Sequence, residues 1–303
     1  MTKLVSIGTR RSRLAQVQSQ SVLKALEKLR PEIAFGLTTI ITIGDKDKTT
    51  PIEQLPTWGA FVKELQDALL NKKVDIAVHS LKDLPVEEVH GLRIAAITKR
   101  IDPRDVLVSR SGTLDRLPPN SIIGTGSPRR TVELLAYRPD LRVEKIRGNL
   151  DTRINKIEKG DFDGIIVAAA GLLRLGWENK ITEYLSIEHF LPEAGQAALA
   201  IEVRADDKEM IEMVKPVNDI VTSRCVIAER YLLKAMGGGC SIAMGALATI
   251  EGNILRLRAM FPGKGKLLYA MESGDATNPE DIAGRLAHKL VAMGAIRPEQ
   301  DKL

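Results

Sequence analysis

The stretches Leu4-Val5-Ser6-Ile7-Gly8-Thr9 and Ile122-Ile123-Gly124-Thr125 decide how this chain is built. Each is a short β-branched run closed by a Gly-Thr turn, and each opens a helical pattern, from about Ser12 in the first case and from Pro128 in the second. The first helix carries Val22, Leu26 and Leu29 on one face and stops at Arg30-Pro31-Glu32-Ile33; the second stops at Arg138-Pro139-Asp140-Leu141. Around them the rhythm continues. Thr38 to Ile43 reads as a strand, then Phe61, Leu65, Ala68 and Leu69 mark a helix, and Asp75 to His79 and Leu92 to Thr98 are further strands. In the second pass Arg142 to Ile146, a helix from Asp151 and Ile165 to Val167 follow in the same order. Such βαβ alternation predicts parallel sheets. We expect two similarly built α/β domains; chance recurrence of Gly-Thr turns and Arg-Pro stops is the other reading of the likeness.

After Pro192 a glycine turn at Gly195 feeds a late strand through Leu199 to Val203, predicted to return to the first sheet. From Asn218 an amphipathic helix runs to Met236, Gly237-Gly238-Gly239-Cys240 breaks it, and three strand-like runs precede a last helix near Pro279 to Met293. The expected architecture is therefore α/β: two similar periplasmic-binding-protein-like α/β domains around a cleft, plus a smaller C-terminal α+β domain. The boundaries read as 1–100 with 194–216, 101–193, and 217–303.

Composition narrows the function classes. The 303 residues hold 44 Lys+Arg against 39 Asp+Glu, a net +5, with 27% charged and 44% hydrophobic residues, the balance of a soluble globular protein. The longest apolar stretch, Ile165 to Leu173, is well short of the ~20 residues of a spanning helix. No signal-peptide pattern opens the sequence, and two cysteines fit a reducing compartment, so a cytoplasmic protein without membrane partners is expected. At 4% aromatic residues and with no Lys/Arg run of five, nucleic-acid binding has little support.

The arginines concentrate where strands end and helices begin. Arg10, Arg11 and Arg13 follow the first strand; Arg129 and Arg130 follow Gly124-Thr125-Gly126-Ser127; Arg147-Gly148-Asn149 and Arg153 follow the next, and Arg174 lies past the strand through Val167. A guanidinium forms a planar fork for carboxylate or phosphate, so this set predicts a polyanionic ligand. The Gly124–Ser127 loop lacks both the Walker and the Gly-x-Gly-x-x-Gly patterns, so it is no nucleotide signature. His79-Ser80-Leu81-Lys82-Asp83 places a carboxylate at another strand end, either as a cap for a turn or as a group that holds a cation and moves a proton. His79 reads as a packed residue, and no Cys/His spacing suggests a metal. Cys240, after three glycines, is either a core cysteine or a nucleophile able to carry a covalent adduct; Cys225 reads as structural.

Together the blocks Gly8-Thr9-Arg10-Arg11-Ser12, Asp75 to Pro85, Asp102-Pro103-Arg104-Asp105, Gly124 to Arg130, Arg147 to Arg153, Ala170-Gly171-Leu172 and Gly238-Gly239-Cys240 resemble the porphobilinogen deaminase (hydroxymethylbilane synthase) family over essentially the whole chain. The resemblance implies a monomeric transferase of tetrapyrrole and heme biosynthesis. It would deaminate four porphobilinogens and join them head to tail on a dipyrromethane cofactor, attached through Cys240, that carries the growing oligopyrrole. It further implies Asp83 as the catalytic carboxylate, with Arg10, Arg11, Ser12, Ser80, Lys82, Thr125, Ser127, Arg129, Arg130, Arg147, Asn149, Arg153, Arg174 and Gln196 binding cofactor and substrate. Trp58 and Phe61 belong to an implied lid loop, which here reads Thr57-Trp58-Gly59-Ala60-Phe61 where the family usually has a lysine between glycines. The competing reading is a non-catalytic two-domain solute-binding protein for a carboxylate-rich ligand.

Overall fold

A computed structural model describes residues 4–42, 62–238 and 242–297. The chain divides into two compact units, Met1–Ile101 with Ala197–Ser223, and Asp102–Gln196 with Arg224–Leu303.

In the first unit, β1 (Leu4–Arg10), β2 (Ala34–Ile40) and β3 (Ile76–Ser80) are parallel, while β4 (Leu92–Ile97) and the returning β10 (Leu199–Arg204) complete a five-stranded sheet in the order β2-β1-β3-β10-β4. β10 runs antiparallel to both neighbours, β3 and β4. Its return to this sheet follows the sequence expectation. β2 runs from Ala34 to Ile40 rather than from Thr38 to Ile43, because its register with β1 extends from Leu4↔Ala34 to Arg10↔Ile40 and pairing recruits Ala34 and Gly36, residues of weak intrinsic strand preference, on either side of Phe35. Val5, Ile7, Ile76 and Val78 meet Val22, Leu23 and Leu26 of α1 (Arg13–Leu29) on one face; on the other, Ala77 meets Leu65, Ala68 and Leu69 of α2 (Lys63–Leu70). Coverage of both faces is why these strands read as near-continuous apolar runs.

The second unit repeats the plan. β6 (Ile122–Gly124), β7 (Arg142–Glu144) and β8 (Gly164–Ala168) are parallel; β5 (Asp105–Ser109) and β9 (Glu183–Tyr184) give the order β7-β6-β8-β5-β9, with β5 antiparallel to β8 and β9. In each sheet the antiparallel strand is the first one after the chain crosses from the other unit. Side chains alternate between two cores, Val106, Val108, Ile165 and Val167 on one face and Leu107, Ile123 and Ile166 on the other. The helices are α3 (Pro128–Tyr137), α4 (Leu150–Lys159) and α5 (Ala169–Leu175).

The likeness between the passes extends to single hydrogen bonds. Asp75 exchanges two with β1, accepting from the Ser6 N–H at 3.0 Å and donating its own N–H to the Ser6 carbonyl at 2.8 Å. Asp163 does the same with Ile122, at 2.7 and 2.9 Å. Ser12 caps α1 and Ser127 caps α3. The Arg-Pro stops also correspond: Arg30 Nε donates to Glu32 and Arg138 Nε to Asp140, just after each helix ends.

The remaining chain is α+β. After α6 (Lys208–Val214), α7 (Ile220–Ala235) leads to an antiparallel sheet of β11 (Gly245–Glu251), β12 (Ile254–Pro262) and β13 (Leu267–Asp275), closed by α8 (Pro279–Ala292). Its core joins Ala228 and Leu232 to Leu255, Leu257, Phe261, Ile282, Leu286 and Leu290. Glu229, fully buried, accepts from the backbone N–H of Gly195 and of Ala248, both at 2.8 Å, and so ties α7 to β11 and to the crossing segment. The free edge of β13 is blunted, since Lys289 and Arg285 donate to the carbonyls of Met271 and Ser273. Among the described residues no helix is long and apolar enough to cross a membrane.

Candidate active site

In each sheet the parallel strands deliver their carboxyl ends to one edge, where helix N-termini expose unpaired N–H groups. In the first unit, β1 ends at Arg10, and Ser12 accepts from the Ala15 N–H at 3.3 Å. β3 ends at Ser80, whose hydroxyl accepts from Gln18 Nε2 at 2.9 Å. A single 3₁₀ turn, Leu81–Asp83, follows. Leu81 is fully buried and its N–H donates to the Ala198 carbonyl at 3.1 Å, which pins the turn; Lys82 is left half-buried and Asp83 exposed. His79 is buried, with Nε2 3.1 Å from Glu202 Oε2, while Gln66 donates to the other Glu202 oxygen at 2.9 Å. That is the packed environment read for His79, although its partner, 123 positions on, carries no sequence signal.

In the second unit, β6 ends at Gly124 and the chain turns through Thr125, whose hydroxyl accepts from the Ser127 N–H at 3.2 Å. Ser127 accepts from Arg130 N–H at 3.5 Å, and α3 then carries Arg129 and Arg130 inward. Arg129, 2% exposed, donates through Nη1 to Glu133 Oε2 and the Leu191 carbonyl (2.8 and 2.7 Å), and through Nη2 to Asp105 Oδ2 (2.8 Å). Arg130 gives Nη2 to Asp105 Oδ1 at 2.8 Å and to Gln196 Oε1 at 3.4 Å, and Nη1 to the Ile166 carbonyl at 3.3 Å. Gln196 Nε2 in turn donates to Asp105 Oδ1 and the Pro103 carbonyl, at 2.9 and 2.8 Å. Burial alone would raise the Asp105 carboxyl, yet Arg129 and Arg130 beside it hold it well below the ordinary carboxylate range.

Arg147 and Arg153 are different. Gly148 between β7 and α4 has φ +104, where a side chain is strained, and a Cβ there would lie 2.9 Å from Thr152. This turn brings Arg153 Nε to the Gly148 carbonyl at 2.8 Å. Neither Arg147 nor Arg153 has a carboxylate partner among the described residues, and Arg147 Nη1 is buried without an acceptor. Burial, with Arg130 and Arg147 as like charges, pulls the Arg153 guanidinium down to about 10; burial does the same to Arg174 on α5. Asn149 starts α4 but makes no capping bond. Arg147 and Arg153, like charges held close together with no carboxylate partner among the described residues, are suited to an external anion.

Two family models match the chain, "Porphobilinogen deaminase, dipyromethane cofactor binding domain" over residues 5–212 and "Porphobilinogen deaminase, C-terminal domain" over 223–292. The porphobilinogen deaminase of Brevibacillus brevis is 44% identical over 292 residues, covering 95% of this chain and 94% of its own. That of Carboxydothermus hydrogenoformans is 44% identical over 298 residues, covering 97% and 96%. The chain belongs to the porphobilinogen deaminase family. Among solved structures, the Bordetella pertussis BvgS periplasmic VFT2 domain aligns over 71% of this chain and 86% of its own at 15% identity and a TM-score of 0.42, a likeness too distant to bear on function.

A dipyrromethane, the cofactor for which the porphobilinogen deaminase domain is named, bears carboxylates, and the donor set suits it. Arg147 offers a buried Nη1 with no acceptor among the described residues, and both it and Arg130 lie close enough to Arg153 to act on it as like charges. Cys240, Trp58 and Phe61 lie outside the described residues; Cys225 is buried in α7. Arg11 is exposed beside Arg10. Among the described residues no His/Cys/Asp/Glu group is arranged to hold a metal ion. Sequence reading gave no role to Asp105, quoted only within the block Asp102-Pro103-Arg104-Asp105, and did not single out Glu133. Glu133 stands four positions after Arg129, a helical ion-pair spacing that could have been noticed; Asp105 opens a buried apolar run, an unusual place for an unpaired carboxylate.

Proposed function

We propose that this chain is a transferase that converts porphobilinogen to the linear tetrapyrrole hydroxymethylbilane, releasing ammonia at each addition and working as a cytoplasmic monomer. The observation that carries the reading is that Arg147 and Arg153, close to one another and with Arg130 beside Arg153, meet no carboxylate among the described residues of a chain of this family. Each porphobilinogen brings an acetate and a propionate, so an elongating chain supplies the carboxylates these forks lack. When bound through Cys240, the dipyrromethane supplies a free pyrrole α-carbon as the growing end.

The protein's own groups divide the remaining work. Arg130, Arg147, Arg153 and Arg174 bind carboxylates in the second unit; Arg10, Arg11 and Lys82 do so in the first. Ser12 and Ser127 accept from helix N–H groups and keep their own hydroxyl protons to donate, and Ser80, Thr125 and Asn149 add neutral contacts. Asp83, exposed at the end of its pinned turn, sets its carboxylate against the positive charge that develops on the substrate as ammonia leaves, and takes up or returns the pyrrole N–H proton.

Incubation with porphobilinogen tests this. Ammonia and linear tetrapyrrole should form in a ratio of four to one. Saturable binding of porphobilinogen with no ammonia release would instead favour the solute-binding reading.

A further inference from the structure

We infer that Asp105 and Gln196 are positioning residues of the carboxylate site, acting through Arg130, and that Arg129 is their internal counter-ion and not a ligand fork. The inference rests on the proposed role of Arg130 in carboxylate binding. Arg129 is 2% exposed and has both Nη atoms committed to protein acceptors, its buried Nε alone lacking a partner among the described residues, so little of the guanidinium is left for a ligand carboxylate. Its charge instead lets Asp105 stay ionised at zero exposure.

Asp105 splits its two oxygens between the two guanidiniums, Oδ2 to Arg129 and Oδ1 to Arg130. Gln196 reads the same geometry from the other side. Its Oε1 accepts from Arg130, while its Nε2 bridges Asp105 Oδ1 and the Pro103 carbonyl. One edge of Arg130 is therefore held by an anion and an amide whose own orientation is fixed by backbone. Without them, the hydrogen bond left to Arg130 among the described residues is the 3.3 Å one to the Ile166 carbonyl, against the like charge of Arg153. Fork recognition depends on planar alignment, and a displacement of about 1 Å at a positioning group can cost on the order of 100-fold.

The test compares Gln196→Met, which keeps volume and removes the amide, with Arg130→Lys, in the cofactor-loaded enzyme. Gln196→Met should raise KM for porphobilinogen about 10- to 100-fold with kcat within a few-fold of the parent. Its thermal midpoint should stay within roughly 5 °C of the parent. Arg130→Lys should raise KM similarly, and the double variant should be no worse than the poorer single, because both act on one fork. An unchanged KM in Gln196→Met beside a raised KM in Arg130→Lys overturns the positioning role while leaving the carboxylate reading intact. An unchanged KM in both overturns the carboxylate reading and the positioning role with it. Should Gln196→Met fail to fold, Gln196→Asn, which withdraws the amide by one methylene, gives the same readout.

Discussion

Replacing Asp83 with alanine is expected to reduce turnover by about 10²- to 10⁴-fold while the chain keeps its pyrrole primer, the range lost when a positioned acid–base group is removed. The physical ground is the separation of scaffold from chemistry within one turn. Leu81, fully buried and bonded through its N–H to Ala198, holds the 3₁₀ turn, whereas Asp83 is exposed and contributes nothing to the apolar core. Truncating it leaves the core and the pinning bond untouched. The fold should therefore persist, and carboxylate binding by arginines elsewhere with it. A glutamate at this position keeps the charge but moves it by one methylene, so Asp83→Glu should recover part of the rate. Turnover near that of the parent in Asp83→Ala would remove Asp83 from the chemistry.

Arg147→Met should produce opposite effects on stability and on binding. Most substitutions at partly buried positions destabilise, because they leave a cavity or an unpaired group. Arg147 has no hydrogen bond or ion pair among the described residues, one of its Nη atoms is buried, and it adds to the like charge around Arg153. A charge desolvated without a partner costs free energy, so its removal should raise the midpoint of protein produced without access to porphobilinogen, by about 2–4 °C for each 1 kcal/mol recovered. Substrate binding should weaken in the same variant. A hydrogen bond to a charged group is worth about 1.5–3 kcal/mol, or roughly 10- to 150-fold in KM. Paired melting and kinetic measurements decide it: a lowered midpoint with unchanged KM would mean that Arg147 is a structural residue.

Much of the fold was legible because the two passes repeat short, local signals. Ile7-Gly8-Thr9 and Ile123-Gly124-Thr125 each mark a strand end and a helix start, and the Arg-Pro stops mark where those helices finish. Strand β5 was not foreseen. Asp105 to Ser109 holds only three consecutive apolar residues, a run too short for periodicity to classify, and its partners β8 and β9 lie about 60 to 80 positions downstream. β2, read as Thr38 to Ile43, starts four residues earlier and ends at Ile40; Ala34 and Gly36 have little strand preference of their own, and the register with β1 supplies what they lack.

The site was legible as residue types and less so as roles. Arginines at strand ends pointed to an anion, but a sequence does not show which guanidinium the protein neutralises itself. Arg129 and Arg130 are adjacent, and both meet Asp105, more than twenty positions earlier, while Arg147 meets no carboxylate among the described residues. The tertiary placement of β5 beside β8 brings Asp105 under α3, where it meets Arg129 as a counter-ion and holds one edge of Arg130.

The central proposal is that the protein works on a pyrrole primer carried by Cys240, whose carboxylates its arginines bind. Intact-mass measurement followed by peptide mapping tests it most directly. The account predicts an excess of two pyrrole rings, each with its acetate and propionate, on the peptide containing Cys240 and none on the peptide containing Cys225. A free, fully reactive Cys240 thiol in protein that still releases ammonia from porphobilinogen would contradict it.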